Sequence, residues 1–344
     1  MLAIVGILLA ALGSWAPAVE AQGAASQVTV PLPAIGIGFV RHAFGAWTTR
    51  IADGGFTTAT GRNLRWFPHD TDSSLAAALA SGKLDIAIMG ASVAASTAAR
   101  GLDLRIFYVL GASGGSDGLV LSTARGVPGT QPNTLKGMVI AVPFGSSSHF
   151  RLLESLKRWS IGVNSMRIVN LQTTQIADAW RRGEIDGAAV SQPLLGLLSA
   201  QGRLMPLPET SPHAGLVVAV ANTDFAARHL VFLSRFVDVV ARADVAAHAL
   251  AVGRDKDAAD VLSISFITGL PAQTVVDGIS RYRPPSLESQ ASPTWLGGGA
   301  QSGLAAELRG IIDVWRSGGR LAGNEPDYAA LISVDPVQLA LTYR

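Results

Sequence analysis

Val139-Ile140-Ala141-Val142-Pro143-Phe144-Gly145-Ser146-Ser147-Ser148-His149-Phe150 runs from an apolar strand pattern through a turn into a helix start. That step, a buried strand feeding a helix, is the unit from which α/β proteins are built. Serine begins the helix because its hydroxyl can cap a free backbone N–H. At such a helix start several N–H groups lack intrahelical partners, and the dipole adds positive potential. Together with the hydroxyls they form an anion site that needs no Lys or Arg. Capping requires one serine and solvent can satisfy the others, but three in succession exceed that need. Ser146, Ser147 and Ser148 are therefore candidate ligand groups. His149 in the first turn could donate to an anion, although a lone histidine more often packs or faces solvent.

Outward from this segment the same step recurs. Met89-Gly90-Ala91-Ser92 is a second strand–glycine–serine–helix turn, where Ser92 serves as an N-cap or as the opposite jaw of one crevice. His69-Asp70-Thr71-Asp72-Ser73-Ser74 is a strand end running into a cap, and Asp70 either faces a ligand or is solvated. Strands are expected at Val28 to Pro31, Leu64 to Phe67, Asp85 to Met89, Leu104 to Leu110, Met138 to Val142, Met166 to Asn170, Ile185 to Val190 and Leu216 to Ala221. Ala-rich helical runs separate them, a pattern that predicts largely parallel sheets. Ile35 to Gly38 reads as a glycine-rich loop before a helix near Val40 to Ile51, and Leu194 to Gln201 as a helix. Ala80-Ser81-Gly82-Lys83-Leu84-Asp85 is echoed by Arg181-Arg182-Gly183-Glu184-Ile185-Asp186, which argues for two similar lobes. Beyond Asp224 the chain is mostly helical. The expected organisation is a first lobe over 27–118, a second over 119–220, and a helical return over 221–344 that packs on the first lobe.

Composition narrows the function. Of 344 residues 49% are hydrophobic and 15% charged, against about 25% charged in ordinary globular proteins, which excludes disorder. The absence of cysteine excludes disulfides, zinc thiolates and a lipidated cysteine. A net charge of +2 with no basic run gives no nucleic-acid footprint. The first 19 residues carry no charged side chain, and Val19-Glu20-Ala21 suits signal-peptidase cleavage, although no basic residue precedes the apolar run. Residues 1–21 are thus expected to be a leader for export to the periplasm. Nucleophile-elbow, P-loop and zincin motifs are absent, and the six histidines lack metal spacing. No catalytic residue, cofactor or metal is expected.

Ala141 to Trp159 also resembles the central segment of the taurine-binding proteins of ABC transporters, A-V-P-F-x-S-T-T-H-[YF]-x-L-L-x-x-L-K-x-W. Ile168 to Gln172 and Ala179 to Ala188 continue the likeness. The resemblance implies an α/β clamshell of the type II periplasmic-binding class, a monomer that delivers a small sulfonate to a permease and its ATPase. Where that family has G-A-Y-V-W-x-P, this chain has Gly187-Ala188-Ala189-Val190-Ser191-Gln192-Pro193, so Ser191 and Gln192 stand at the site with both aromatics gone. Where it has D-V-W-V-V, this chain reads Val217-Val218-Ala219-Val220-Ala221. The carboxylate suited to an ammonium is lost there, and a buried ammonium without a partner is costly. The expected solute is a small organosulfonate or similar anion, taurine-like or with a neutral tail, its head on Ser146 to His149 and closed over by Ser92. The alternatives are a clamshell binder of a heteroaromatic or thiamine-precursor-like solute, and an enzyme or sensor partner on the same fold.

Overall fold

Asp85 and Asp186 do the same job in two halves of the chain. Oδ2 of Asp85 accepts the Gly36 N–H at 2.8 Å, and Oδ2 of Asp186 accepts the Val139 N–H at 2.8 Å. Each aspartate also donates its own N–H to the carbonyl of that same partner residue, at 2.9 Å in both cases. The glycines three residues earlier, Gly82 and Gly183, have φ of +72° and +66°, the left-handed turn that closes a helix. The repeated hexapeptide is therefore a repeated device, helix end to strand start.

The computed structural model describes residues 33–112, 117–126, 129–208, 215–250, 256–281, 284–322 and 325–344. The expected leader and the strand expected at Val28 to Pro31 lie outside the described residues. Ten strands are present in the described chain: β1 Ile35–Val40, β2 Leu64–His69, β3 Ile86–Gly90, β4 Leu104–Ala112, β5 Asp117–Ser122, β6 Val139–Val142, β7 Arg167–Asn170, β8 Gly187–Ser191, β9 Gly202–Met205 and β10 Leu216–Asn222. The helices that matter below are α1 Asp72–Ala80, α2 Ala91–Ala99, α3 Ser147–Arg158, α4 Thr173–Arg181, α5 Leu194–Ser199, α6 Leu230–Leu250, α7 Leu287–Ala291 and α8 Gly303–Ser317.

The strands form two five-stranded sheets, in the orders β2-β1-β3-β10-β4 and β7-β6-β8-β5-β9. The fourth strand of each sheet comes from the other half of the chain. β5 follows β4 yet sits in the second sheet, and β10 follows β9 yet sits in the first. Both run antiparallel to their neighbours, whereas β1 pairs parallel with β2 and β3, and β6 with β7 and β8. The sheets are mixed, not largely parallel, because of these two exchanged strands. β10 also shows that the return to the first sheet begins at Leu216, ahead of the boundary at residue 220 read from the sequence.

Two local expectations are corrected. Ile35 to Gly38 is strand β1 rather than a loop; a Cβ on Gly38 would lie 2.4 Å from side-chain carbons of Leu75 and Leu84, so the glycine lets α1 press on the sheet. The helix expected from Val40 is a loop through His42 and Ala43, then a 3-10 turn at Ala46–Thr48 and a short helix at Thr49–Ala52. Strand β9 was not foreseen. It lies along β5, and a Cβ on Gly202 would come within 2.8 Å of the Leu121 carbonyl.

In the second sheet, Leu119, Leu121, Ile140 and Val142 face Leu152 and Leu156 of α3, while Val120, Ala141 and Val190 face Ile176, Trp180 and Leu195. That alternation is the period of two of a sheet covered on both faces. The first sheet carries the larger core, in which Phe236 of α6 stacks on Phe56 at 4.8 Å. Helix α8 joins this core and also meets α3: the Trp315 indole donates to the Ser92 carbonyl at 3.0 Å and packs on Phe150 at 5.8 Å. No single helix among the described residues is long and apolar enough to cross a membrane.

Candidate functional site

In sheets of this type ligands bind beyond the carboxyl ends of the parallel strands. Here the ends of β1, β3 and β6 carry His42, Gly90 and Ser147, and all three line one cleft between the sheets. Gly90 is the N-cap of α2 and has no side chain to cap the first turn. A Cβ placed on it would lie 3.6 Å from the Ser147 Cβ at the start of α3. The N-termini of α2 and α3 thus meet across the cleft, and Ser92 lines it beside them. Converging helix starts concentrate N–H donors and positive potential at one point.

Carboxylates complete the site. Asp72, fully buried at the first position of α1, accepts the Gly90 N–H on Oδ1 at 2.8 Å, and its Oδ2 lies 3.6 Å from His42 Nε2. Asp117 at the start of β5 accepts Ser147 Oγ at 3.1 Å and Ser191 Oγ at 2.5 Å, both on Oδ1. Burial pushes the Asp117 carboxyl up, and nearby Asp72 adds to this, against the opposing pull of His42 and the two serine hydroxyls. Arg151 lines the same cleft with its guanidinium on Glu154 at 2.5 Å and on the Pro208 carbonyl at 3.3 Å. The apolar wall includes Ala43, Phe150, Leu216, Val217 and Ile311.

Of the eight candidates, Ser147 and Ser92 line the cleft, and Ser191 reaches it through Asp117. Ser146 is the cap of α3: it accepts the His149 N–H at 3.2 Å and donates to the Pro143 carbonyl at 2.6 Å. Ser148 is buried against Ser146 at 2.9 Å. His149 is turned away, its Nδ1 accepting the Gly145 N–H at 3.1 Å and its ring stacked on Phe144 at 4.7 Å. Burial first, then Arg320 and Arg100, lower its pKa to about 3, so the ring is neutral and is no cationic anion donor. Asp70 pairs on the surface with Arg41 at 2.9 Å, and Gln192 accepts the Gly196 N–H at 3.2 Å; neither lines the cleft. His42, Asp72, Asp117 and Arg151 were missed. For His42, Asp72 and Arg151 the available signal was position, just beyond a strand end or in the first turns of a helix there; Asp117 opens strand β5 and carries no such signal.

Residues 53–250 match the family model described as NMT1/THI5 like. A taurine-binding periplasmic protein of Escherichia coli (strain K12) is 36% identical over 181 residues, 52% of this chain and 55% of that protein. The chain thus spans about half the length of that curated relative in the match. Among solved structures, the alkanesulfonate-binding protein SsuA of Xanthomonas axonopodis pv. citri, bound to MOPS, has a TM-score of 0.70 at 18% identity, covering 88% of this chain and 99% of that one. The periplasmic aliphatic sulphonate binding protein SsuA of Escherichia coli has a TM-score of 0.65 at 16% identity, covering 86% and 95%. At such identities the likeness is one of fold, that of the type II periplasmic binding proteins, and with the family match over more than half its length this chain belongs to the NMT1/THI5-like family.

Proposed function

We propose that the chain is the solute-binding subunit of an ABC importer, exported to the periplasm, and that it captures a small organosulfonate between its two sheets. The observation that carries this reading is the meeting of two helix N-termini at Gly90 and Ser147. A sulfonate there would take backbone N–H groups of both helices and the Ser92 hydroxyl, so that one head group bridges both sheets and favours the closed form. Val217 and Leu216 beside it favour a neutral tail. Delivery to a permease and its ATPase follows from the same reading.

Asp117 favours a second reading of the tail. Its carboxylate sits in the cleft with hydroxyl donors on one oxygen, a placement suited to a ligand ammonium. Calorimetry with ethanesulfonate, propanesulfonate, taurine and the carboxylate β-alanine separates the cases. Tight binding of the alkanesulfonates supports the neutral tail. Taurine binding at least tenfold tighter, with the advantage lost in Asp117→Asn, supports the ammonium. Failure of every sulfonate to bind overturns the reading.

A further inference from the structure

A second cavity, of about 360 Å³, lies at the edge strand β4 of the first sheet and shares no lining residue with the cleft. It is lined by Tyr108 of β4, Asp244 of α6, Pro284 and Pro285, and Leu287 and Glu288 of α7. Asp244 is 8% exposed, and neither of its carboxylate oxygens has a hydrogen-bond partner among the described residues. A buried carboxylate without a partner costs far more than an apolar side chain in the same place. Burial alone pushes its carboxyl well above the usual carboxylate range. The pocket therefore holds an acceptor that nothing in the described chain satisfies, walled by a phenol ring, two prolines and a leucine.

We propose that this cavity binds a small organic cation, a primary ammonium on a short apolar body, with Asp244 as its acceptor. The ammonium would place N–H donors on both Asp244 oxygens while the body packs against Tyr108, Pro284, Pro285 and Leu287. An anion is repelled by Glu288 at the mouth, and a bound ammonium would restore the Asp244 charge that burial alone disfavours. Arg344 at that mouth is engaged by Glu288 at 3.7 Å and Asp238 at 3.9 Å, so its charge does not fill the place. A metal ion fits poorly, since no group of three ligating side chains occurs among the described residues. The site is independent of what the cleft binds.

Titration calorimetry of the full chain with n-butylammonium, and with n-butanol as the neutral control of similar shape, tests the proposal. Butylammonium is expected to bind at least tenfold more tightly than butanol. Asp244→Asn, which puts a neutral side chain of the same shape where burial disfavours charge, should fold, abolish that preference and leave sulfonate binding unchanged. Val245→Trp, at an exposed position on the rim, should weaken butylammonium binding without touching the carboxyl. Equal binding of the amine and the alcohol to the native chain, or undiminished amine binding to Asp244→Asn, would overturn it.

Discussion

Nε2 of His42 stands 3.6 Å from Oδ2 of Asp72, with both side chains closed off from solvent, while Oδ1 of the same carboxylate accepts the Gly90 N–H at 2.8 Å. One carboxylate thus ties the loop after β1, the first turn of α1 and the start of α2 together. Its placement fixes where the α2 N-terminus points. Asp72→Ala strips Gly90 of its acceptor and leaves His42 facing a void, and an unmet buried donor costs about 1–3 kcal/mol. Asp72→Asn keeps an oxygen for Gly90 and should lose less. Urea denaturation of both variants checks this; equal losses would show that Gly90 gains nothing from the bond.

Gly90 itself tests the anion position. Its φ of −61° is open to any residue, and an added Cβ would meet Asp72 Oδ1 at 3.5 Å and the Ser147 Cβ at 3.6 Å, ordinary van der Waals contacts. Gly90→Ala should therefore fold with a stability change of under about 1 kcal/mol. The methyl nevertheless occupies the space between the two helix ends. Affinity for ethanesulfonate is expected to fall at least tenfold by calorimetry. Unchanged affinity would move the head group elsewhere.

The contrast between Ser146 and Asp117 shows what the sequence could tell. Strand–turn–helix steps at Gly90 and Ser146 are local, and the repeated Gly-x-x-Asp device is local too, so both lobes and one edge of the cleft were legible. The exchange of β5 and β10 between sheets was not, because an extended segment does not carry the name of the sheet it joins. Asp117 was overlooked for that reason: it enters the cleft only because β5 pairs with β8 and brings Ser191 beside it. His149 differs, for it is not among the residues that line the cleft. A histidine in the first helical turn looks like a ligand until Phe144 and Trp315 are seen to enclose its ring, at 4.7 Å and 5.2 Å.

Adjacent serines at the start of α3 should separate stability from binding. Ser146→Ala removes the hydroxyl that accepts from His149 and donates to Pro143, and loss of such a cap costs about 1 kcal/mol. Sulfonate affinity should change little in comparison. Ser147→Ala removes a donor from Asp117 and a hydroxyl from the cleft wall. It should weaken binding several-fold while leaving the melting temperature near that of the native chain. Thermal melts paired with calorimetry read both effects, and the reverse ranking would exchange the roles assigned to the two residues.

His149 sets part of the acid sensitivity. Burial, with Arg320 and Arg100 adding to it, lowers the ring to about pKa 3 in the folded chain, whereas an unfolded histidine titrates near 6.5. The unfolded chain therefore binds a proton that the folded chain refuses. Stability is complete above about pH 6.5 and is lost as pH falls toward 3, at up to about 1.4 kcal/mol per pH unit. Between pH 7 and 5 the loss from this ring is about 2 kcal/mol. His149→Asn offers the Gly145 N–H an acceptor without a titrating group, although it forfeits the stack on Phe144. The variant should be less stable than the native chain at pH 7, yet lose about 2 kcal/mol less on acidification to pH 5. Urea midpoints across that range measure the two slopes, and parallel slopes would mean that the ring is already protonated in the fold or is not shielded by Phe144 and Trp315.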